Sequence, residues 1–310
     1  MVSVVKRKFN PDNMFKTMTF VMALIIPIIF CAIFLMLFWE SFSSIKAFGL
    51  HFLVNSNWNP VTENYGALPY IYGTLVSSLL ALIIAVPLGL GCSIYLTEIN
   101  KSKFSEYLAT MVDLLAAIPS VVYGLWGIFV LGPFLVDYVQ PFLGRYFGFL
   151  PIFQGSPMGL SMMTGSIILA IMILPTITAV SREVFQAVPN NLRESARALG
   201  GTSLEVVQLA VLPPAISGVV GAVILALGRA VGETMAITMV IGNRPEISAS
   251  IFAPSYTLAS VIANEFAEAS SPMNLSAMFE IGIILLLITV IINGLARLLI
   301  WKIASKNRIQ

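Results

Sequence analysis

Charged side chains are scarce in this chain: Asp, Glu, Lys and Arg make up 10% of its 310 residues, where a soluble domain carries about 25%. With 58% hydrophobic residues and a mean hydropathy of +0.91, that shortage excludes a soluble fold and indicates an integral membrane protein. Histidine is nearly missing, and His51 alone gives little material for a histidine metal site or a Ser-His-Asp triad. Cys31 and Cys92 both fall inside apolar runs, which favours small buried hydrophobes over a disulfide or a metal pair. No Gly-Lys dipeptide occurs, so the chain lacks a phosphate-binding P-loop, and any ATP must be handled by another chain. The net charge of +2 is too small to suggest a nucleic-acid partner.

What is present is a set of long apolar runs. A helix needs about 20 such residues to cross a bilayer. Six runs qualify: Phe20–Trp39, Ile71–Leu96, Leu108–Leu135, Gly159–Val180, Ala215–Ile241 and Ser276–Trp301. The first follows Lys6-Arg7-Lys8 like a signal sequence. It outlasts a signal's apolar core and has no small-residue cleavage site after Phe38-Trp39-Glu40, so a retained span is expected. The chain then divides into an N-terminal segment (1–19), a first span (20–39), an outer loop (40–70), a membrane core (71–301) carrying an inner loop (181–213), and a tail (302–310).

Basic residues set the direction. With the N-terminus inside, thirteen fall on the cytoplasmic side: Lys6, Arg7, Lys8, Lys16, Lys101, Lys103, Arg182, Arg193, Arg197, Arg297, Lys302, Lys306 and Arg308. Only Lys46, Arg145 and Arg244 fall outside, and Arg229 lies within a span. The bias predicts both termini in the cytoplasm. Pro87, Pro119, Pro133 and Pro175 fall in the spans, and Gly228-x-x-x-Gly232 would allow close helix approach. On the outer side, Pro254-Ser255 followed by Leu258, Val261, Ile262 and Phe266 predicts a short amphipathic helix: a docking face, a lid or an interfacial element.

The inner loop carries the clearest local signals. Asn190 after Pro189 predicts a helix start, and Leu192, Ala196 and Leu199 share one face with Arg193 and Arg197 beside it. Gly200-Gly201 predicts a stop in the left-handed backbone region. Thr202-x-x-Glu205 is a capping box that starts a second helix, ended by Pro213-Pro214. A helix–glycine turn–helix of this kind reads as a rigid docking element rather than a solvated loop.

Glu194-Ser195-Ala196, Gly200 and Leu212-Pro213 resemble the EAA loop of ABC importer permeases, with Ser195 at the first alanine position and Ala210 where isoleucine is usual. The stretches 64–75 and 227–236, the latter reading Leu-Gly-Arg-Ala-Val-Gly-Glu-Thr-Met-Ala, are similar to the phosphate-specific branch, the PstC-type permeases. The resemblance implies an all-α membrane fold of six spans with type I ABC importer architecture. It also implies a coupling helix, containing Glu194, Ala196 and Gly200, that inserts into a cleft of a separate ATPase. The implied partners are a PstA-type second permease, a PstB-type ATPase dimer binding ATP with Mg, and an external PstS-type phosphate-binding protein. The implied location is a bacterial or archaeal inner (plasma) membrane. No cofactor or metal is expected in this chain, nor a catalytic site.

Arg229 and Glu233 sit inside the fifth run. Counted from Ala215, Arg229 lies roughly 21 Å along a helix rising 1.5 Å per residue, where a charge costs about 2.5–3.5 kcal/mol on insertion scales. Two readings stand: the pair neutralise each other at i, i+4, or Arg229 faces the translocation route and meets an oxyanion with its planar guanidinium, while Glu233 orients it and competes with the anion so that binding stays weak enough for release. Asp113 and Glu280 lie near the membrane surfaces and are expected to be interfacial or hydrogen-bonded acids. The functional expectation is a phosphate importer permease. A permease for sulfate, molybdate or an organic nutrient and an ion-coupled secondary transporter are the alternatives, though the halves lack the inverted repeat common in secondary transporters.

Overall fold

The structure, a computed structural model, describes residues 11–100 and 102–306. Lys6, Arg7, Lys8, Lys101 and Arg308, which entered the orientation argument, lie outside them. Among the described residues the fold is helical, without named strands, and six helices are long and apolar enough to cross a membrane.

Helix α1 (Pro11–Phe48) is exposed along nearly all its length, as a lipid-facing helix is, and runs past both ends of the expected Phe20–Trp39 span. Helix α2 (Leu68–Ile94) starts with Pro69, whose missing N–H costs nothing in a first turn. It continues through a π turn (Tyr95–Ile99). Helix α3 (Lys103–Ala117) follows, then α4 (Ser120–Phe147), α5 (Met162–Gln186) and the short α6 (Asn190–Ala198). Next come α7 (Ser203–Gly232), α8 (Met235–Val240), α9 (Leu258–Glu265) and α10 (Pro272–Lys306).

Two expected spans are redrawn. Leu108–Leu135 is not one helix: the chain turns extended at Ile118 and Pro119. Proline disfavours helical backbone in the residue before it, and it has no N–H to continue the ladder. Residues 108–117 therefore belong to α3, packed against α5, and the third span is α4. The Ala215–Ile241 run is likewise broken. Helix α7 stops at Gly232, Glu233 is extended with ψ 128°, and α8 is a separate short helix.

Four buried clusters fill the bundle among the described residues; one joins Tyr123 and Leu135 of α4 to Ile168 of α5 and Val240 of α8, and the other three follow along its length. At the outer end Phe52, Tyr65 and Tyr70 pack against Tyr256, Leu258 and Val261, which makes α9 part of the core rather than a free lid. In the middle Ala81 and Ala85 of α2 meet Leu169, Ile173 and Ile177 of α5. Gly89 lets these helices approach: a Cβ there would lie 2.9 Å from the Ile177 side chain, and Thr178 Oγ1 donates to the Gly89 carbonyl at 3.4 Å. At the inner end Phe185, Val188, Val206, Val211 and Ala215 form the third cluster, directly under the hairpin.

The cysteine expectation holds in part. Both are free thiols, but Cys92 is half-buried and Cys31 is exposed on α1, as an apolar residue of a lipid-facing helix can be.

Candidate functional site

The inner hairpin is built as its caps require. Helix α6 has Pro189 as its N-cap, so Asn190 is the first helical residue rather than the cap, and no side chain caps the helix. At its other end Gly201 N–H donates to the Ala196 carbonyl at 3.1 Å and Gly200 N–H to the Arg197 carbonyl at 2.9 Å. This is the paired-bond stop that needs a left-handed residue, and Gly200 has φ +85°. Thr202 and Glu205 form the expected capping box, with Thr202 N–H donating to Glu205 Oε2 at 2.7 Å.

Pro213-Pro214 does not end the second helix. The chain passes through a π turn (Val207–Val211) and remains helical to Gly232. The Leu212 N–H donates to the Val207 carbonyl and closes this wide turn just before the two prolines, which have no N–H to donate. The second limb of the hairpin is therefore continuous with the fifth span.

The hairpin residues expected to couple to an ATPase, Leu192, Arg193, Glu194, Ala196, Arg197 and Gly200, separate by exposure. Leu192, Glu194, Arg197 and Gly200 are exposed, as is Leu199, which is 90% accessible. Leu192, Ser195, Leu199, Leu209 and Pro214 line an apolar groove of about 630 Å³. Ala196 turns partly inward onto the inner cluster. Arg193 is the correction: it is 5% accessible and belongs to no docking face. Its Nε and Nη2 donate to both carboxylate oxygens of Glu98 at 2.7–3.2 Å. Nη2 also donates to the Phe185 carbonyl at 2.6 Å, and Nη1 donates to the Val188 carbonyl and to Asn190 Oδ1. Glu98, 6% accessible, escaped the sequence reading because its partner lies 95 residues away.

Arg229 and Glu233 do not pair. Arg229, in the last turn of α7, donates to Thr176 Oγ1 at 3.3 Å and is exposed on the open side of the chain. Glu233 accepts the Ala236 N–H at 3.3 Å and so caps α8. The break at Gly232 takes the two side chains off a common helical face. Thr176, Ile224, Leu225, Gly228, Arg229 and Asn293 line a shallow cleft of about 440 Å³. Gly228 and Gly232 do not pack against a helix of this chain: an added Cβ would meet nothing within 4 Å. The close approach the spacing suggested is made instead by Gly73, Gly89 and Gly124.

Asp113 forms an ion pair with Arg182 at 3.2 Å, both partly exposed. Glu280, expected near the outer boundary, is buried on α10. At the outer end Trp58 Nε1–H donates to Glu265 Oε2 at 2.7 Å. Burial pushes the Glu265 carboxyl above its ordinary range, and the Trp58 bond pulls the other way.

Residues 85–304 match the model of the binding-protein-dependent transport system inner membrane component family. A phosphate transport system permease protein PstC of Pasteurella multocida is 46% identical over 300 residues, covering 96% of this chain and 93% of that protein. The PstC of Mesorhizobium japonicum is 43% identical over 309 residues, covering 98% of this chain and 94% of that one. Among solved structures, a bacterial ABC transporter involved in import of the acidic polysaccharide alginate superposes with a TM-score of 0.56 at 14% identity. That superposition covers 91% of this chain and 96% of the other. The six apolar helices, the hairpin continuous with the fifth of them and these likenesses agree: the chain is a multi-pass membrane protein of the binding-protein-dependent transport system inner membrane component family, with the architecture of a type I ABC importer permease.

Proposed function

We propose that this chain is one of two membrane halves of an ATP-driven importer of inorganic phosphate. The carrying observation is the hairpin. It presents Leu192, Ser195 and Leu199 to the water on a helix fixed at both ends, and its second limb runs unbroken into a span. Exposed leucines on a rigid frame are a docking surface, and the occupant that the family implies is a PstB-type ATPase. ATP with Mg is bound and hydrolysed there, outside this chain. Both termini are cytoplasmic in this reading, which puts the hairpin on the same side as the ATPase.

The cargo reading rests on Arg229 and on the PstC relatives. Arg229 carries its charge into an apolar span with a threonine hydroxyl as its bonded neighbour. A buried or membrane-embedded charge requires a counter-charge or a wet cavity, and a passing phosphate supplies both charge and bidentate acceptors. Glu233 holds the break that leaves Arg229 in a terminal helical turn. The open face carrying Gly228, Gly232 and Arg229 is where a PstA-type second permease packs, so the route runs between the two subunits. A PstS-type binding protein delivers phosphate from outside.

Uptake by the reconstituted complex, with assembly monitored, tests this. Loss of a charge-assisted hydrogen bond worth about 1.5–3 kcal/mol lowers phosphate uptake by Arg229→Gln complexes roughly tenfold to a hundredfold. Normal uptake by assembled Arg229→Gln complexes removes the role. Preferred uptake of sulfate or molybdate redirects the cargo. Uptake driven by a proton or sodium gradient without ATP sinks the reading.

A further inference from the structure

The Arg193–Glu98 pair is not explained by docking, because neither side chain reaches the groove. It ties the α5–α6 junction to Glu98, 95 residues earlier in the chain. Glu98 lies in the π turn that ends α2, Phe185 and Val188 close α5, and Asn190 opens α6. The guanidinium has five N–H donors, and each has an acceptor: Glu98 takes Nε and one Nη2 donor, the Phe185 carbonyl the other, and the Val188 carbonyl and Asn190 Oδ1 those on Nη1. A lysine, with three donors on one nitrogen, does not reproduce this fork.

The geometry matters for force transmission. Covalently, α6 is attached to α5 through residues 187–189 and to α7 through the glycine turn. The link to α7 is the hydrogen-bonded Gly200-Gly201 turn, which holds no side chain against either span. Helix α2 has no covalent link to the hairpin, yet it packs along α5 through much of the bundle. The only ion pair crossing from α6 to α2 among the described residues is Arg193–Glu98. Both partners are buried, so water cannot substitute for either.

We propose that Arg193 and Glu98 are positioning residues forming a strut that makes the second span move with the docking helix. ATPase closure is thereby converted into movement of α2 and α5 together rather than into bending at the hairpin. This rests on the reading of the hairpin as the ATPase-docking element.

The test uses the complete importer, the chain with its second permease, ATPase and binding protein, in vesicles loaded with ATP. Three variants are compared with the native chain: Glu98→Gln, Arg193→Lys and the double substitution. Each is read for subunit stoichiometry, ATP hydrolysis and phosphate taken up per ATP hydrolysed. The exposed leucines are untouched, so the variants are expected to retain the ATPase and hydrolyse ATP. Phosphate moved per ATP is expected to fall about tenfold, the loss the experiment reads, because neither variant keeps the buried fork that joins the two segments. The double variant is no worse than either single one, because all three remove one unit.

A normal ratio of phosphate to ATP in assembled Glu98→Gln and Arg193→Lys complexes overturns the strut, as does a multiplicative loss in the double variant. If all three variants fail to assemble, the pair is a folding element and the proposal also falls. A native chain that purifies with no ATPase, or imports without ATP, is a different result: it refutes the docking reading on which the strut rests.

Discussion

Leu199 offers the sharpest measurement of the docking surface. Its side chain is 90% accessible and stands at the lip of the apolar groove, just before the left-handed Gly200. In the isolated chain it contributes almost nothing to folding, and replacing it stays within about 0.5 kcal/mol of neutral. In the docked state the same side chain is buried. Full burial of a leucine is worth about 1.5–3 kcal/mol, and Leu199→Ala gives up most of it, about 2 kcal/mol. At 1.4 kcal/mol per factor of ten, that weakens ATPase binding by about 30-fold. Leu199→Asp, which also brings a charge into an apolar cleft, weakens it further. The assay is a titration of purified ATPase against the detergent-solubilised membrane subunits, alongside a thermal melt of those subunits alone. The reasoning predicts a large change in the first and none in the second. It is refuted if Leu199→Ala binds the ATPase within about twofold of the native chain.

Other substitutions probe the frame. A Cβ at Gly73 would lie 2.1 Å from the Tyr256 carbonyl oxygen and 2.8 Å from Ser255 Oγ. Because the nearest obstacle is backbone, Gly73→Ala should cost about 3 kcal/mol, the upper end for overpacking, read as a fall in thermal stability. Gly91→Ala in the same helix meets nothing within 4 Å and should hold or raise it. At the outer end, burial raises the Glu265 carboxyl above the 4.5 of the free group. The folded state therefore binds the proton more tightly than the unfolded one, and its stabilising effect is complete below pH 4.5 and lost as the pH rises through the folded value. Thermal stability should climb on acidification from neutral pH toward 5. Glu265→Gln keeps an acceptor for Trp58 and should flatten that slope; an unchanged slope would remove Glu265 as its source.

Hydropathy gave the number of spans, six, and the two glycines followed by Thr202-x-x-Glu205 located the hairpin, because these are properties of adjacent residues. The helix breaks were less legible. Pro119 carried a signal for its break, since the residue before proline avoids the helical region, but apolar composition continued across it. Gly232-Glu233 carried almost none, so Arg229 and Glu233 read as an i, i+4 pair on a helix that stops between them. Arg193 was invisible for another reason. On a helical projection it adjoins Leu192 and Ala196, and only the fold brings Glu98 to it from the end of the second span. Exposure of a charged residue is a sound default that an ion pair distant in sequence overrides.

The open side of α7 has a consequence for how the subunit is made. If the proposed second permease covers this face, a copy made without it leaves the Arg229 guanidinium and the bare Gly228 and Gly232 uncovered. On that proposal, balanced production of the two halves follows from the lipid-facing chemistry. An orphan carries a built-in mark of incompleteness that pairing erases.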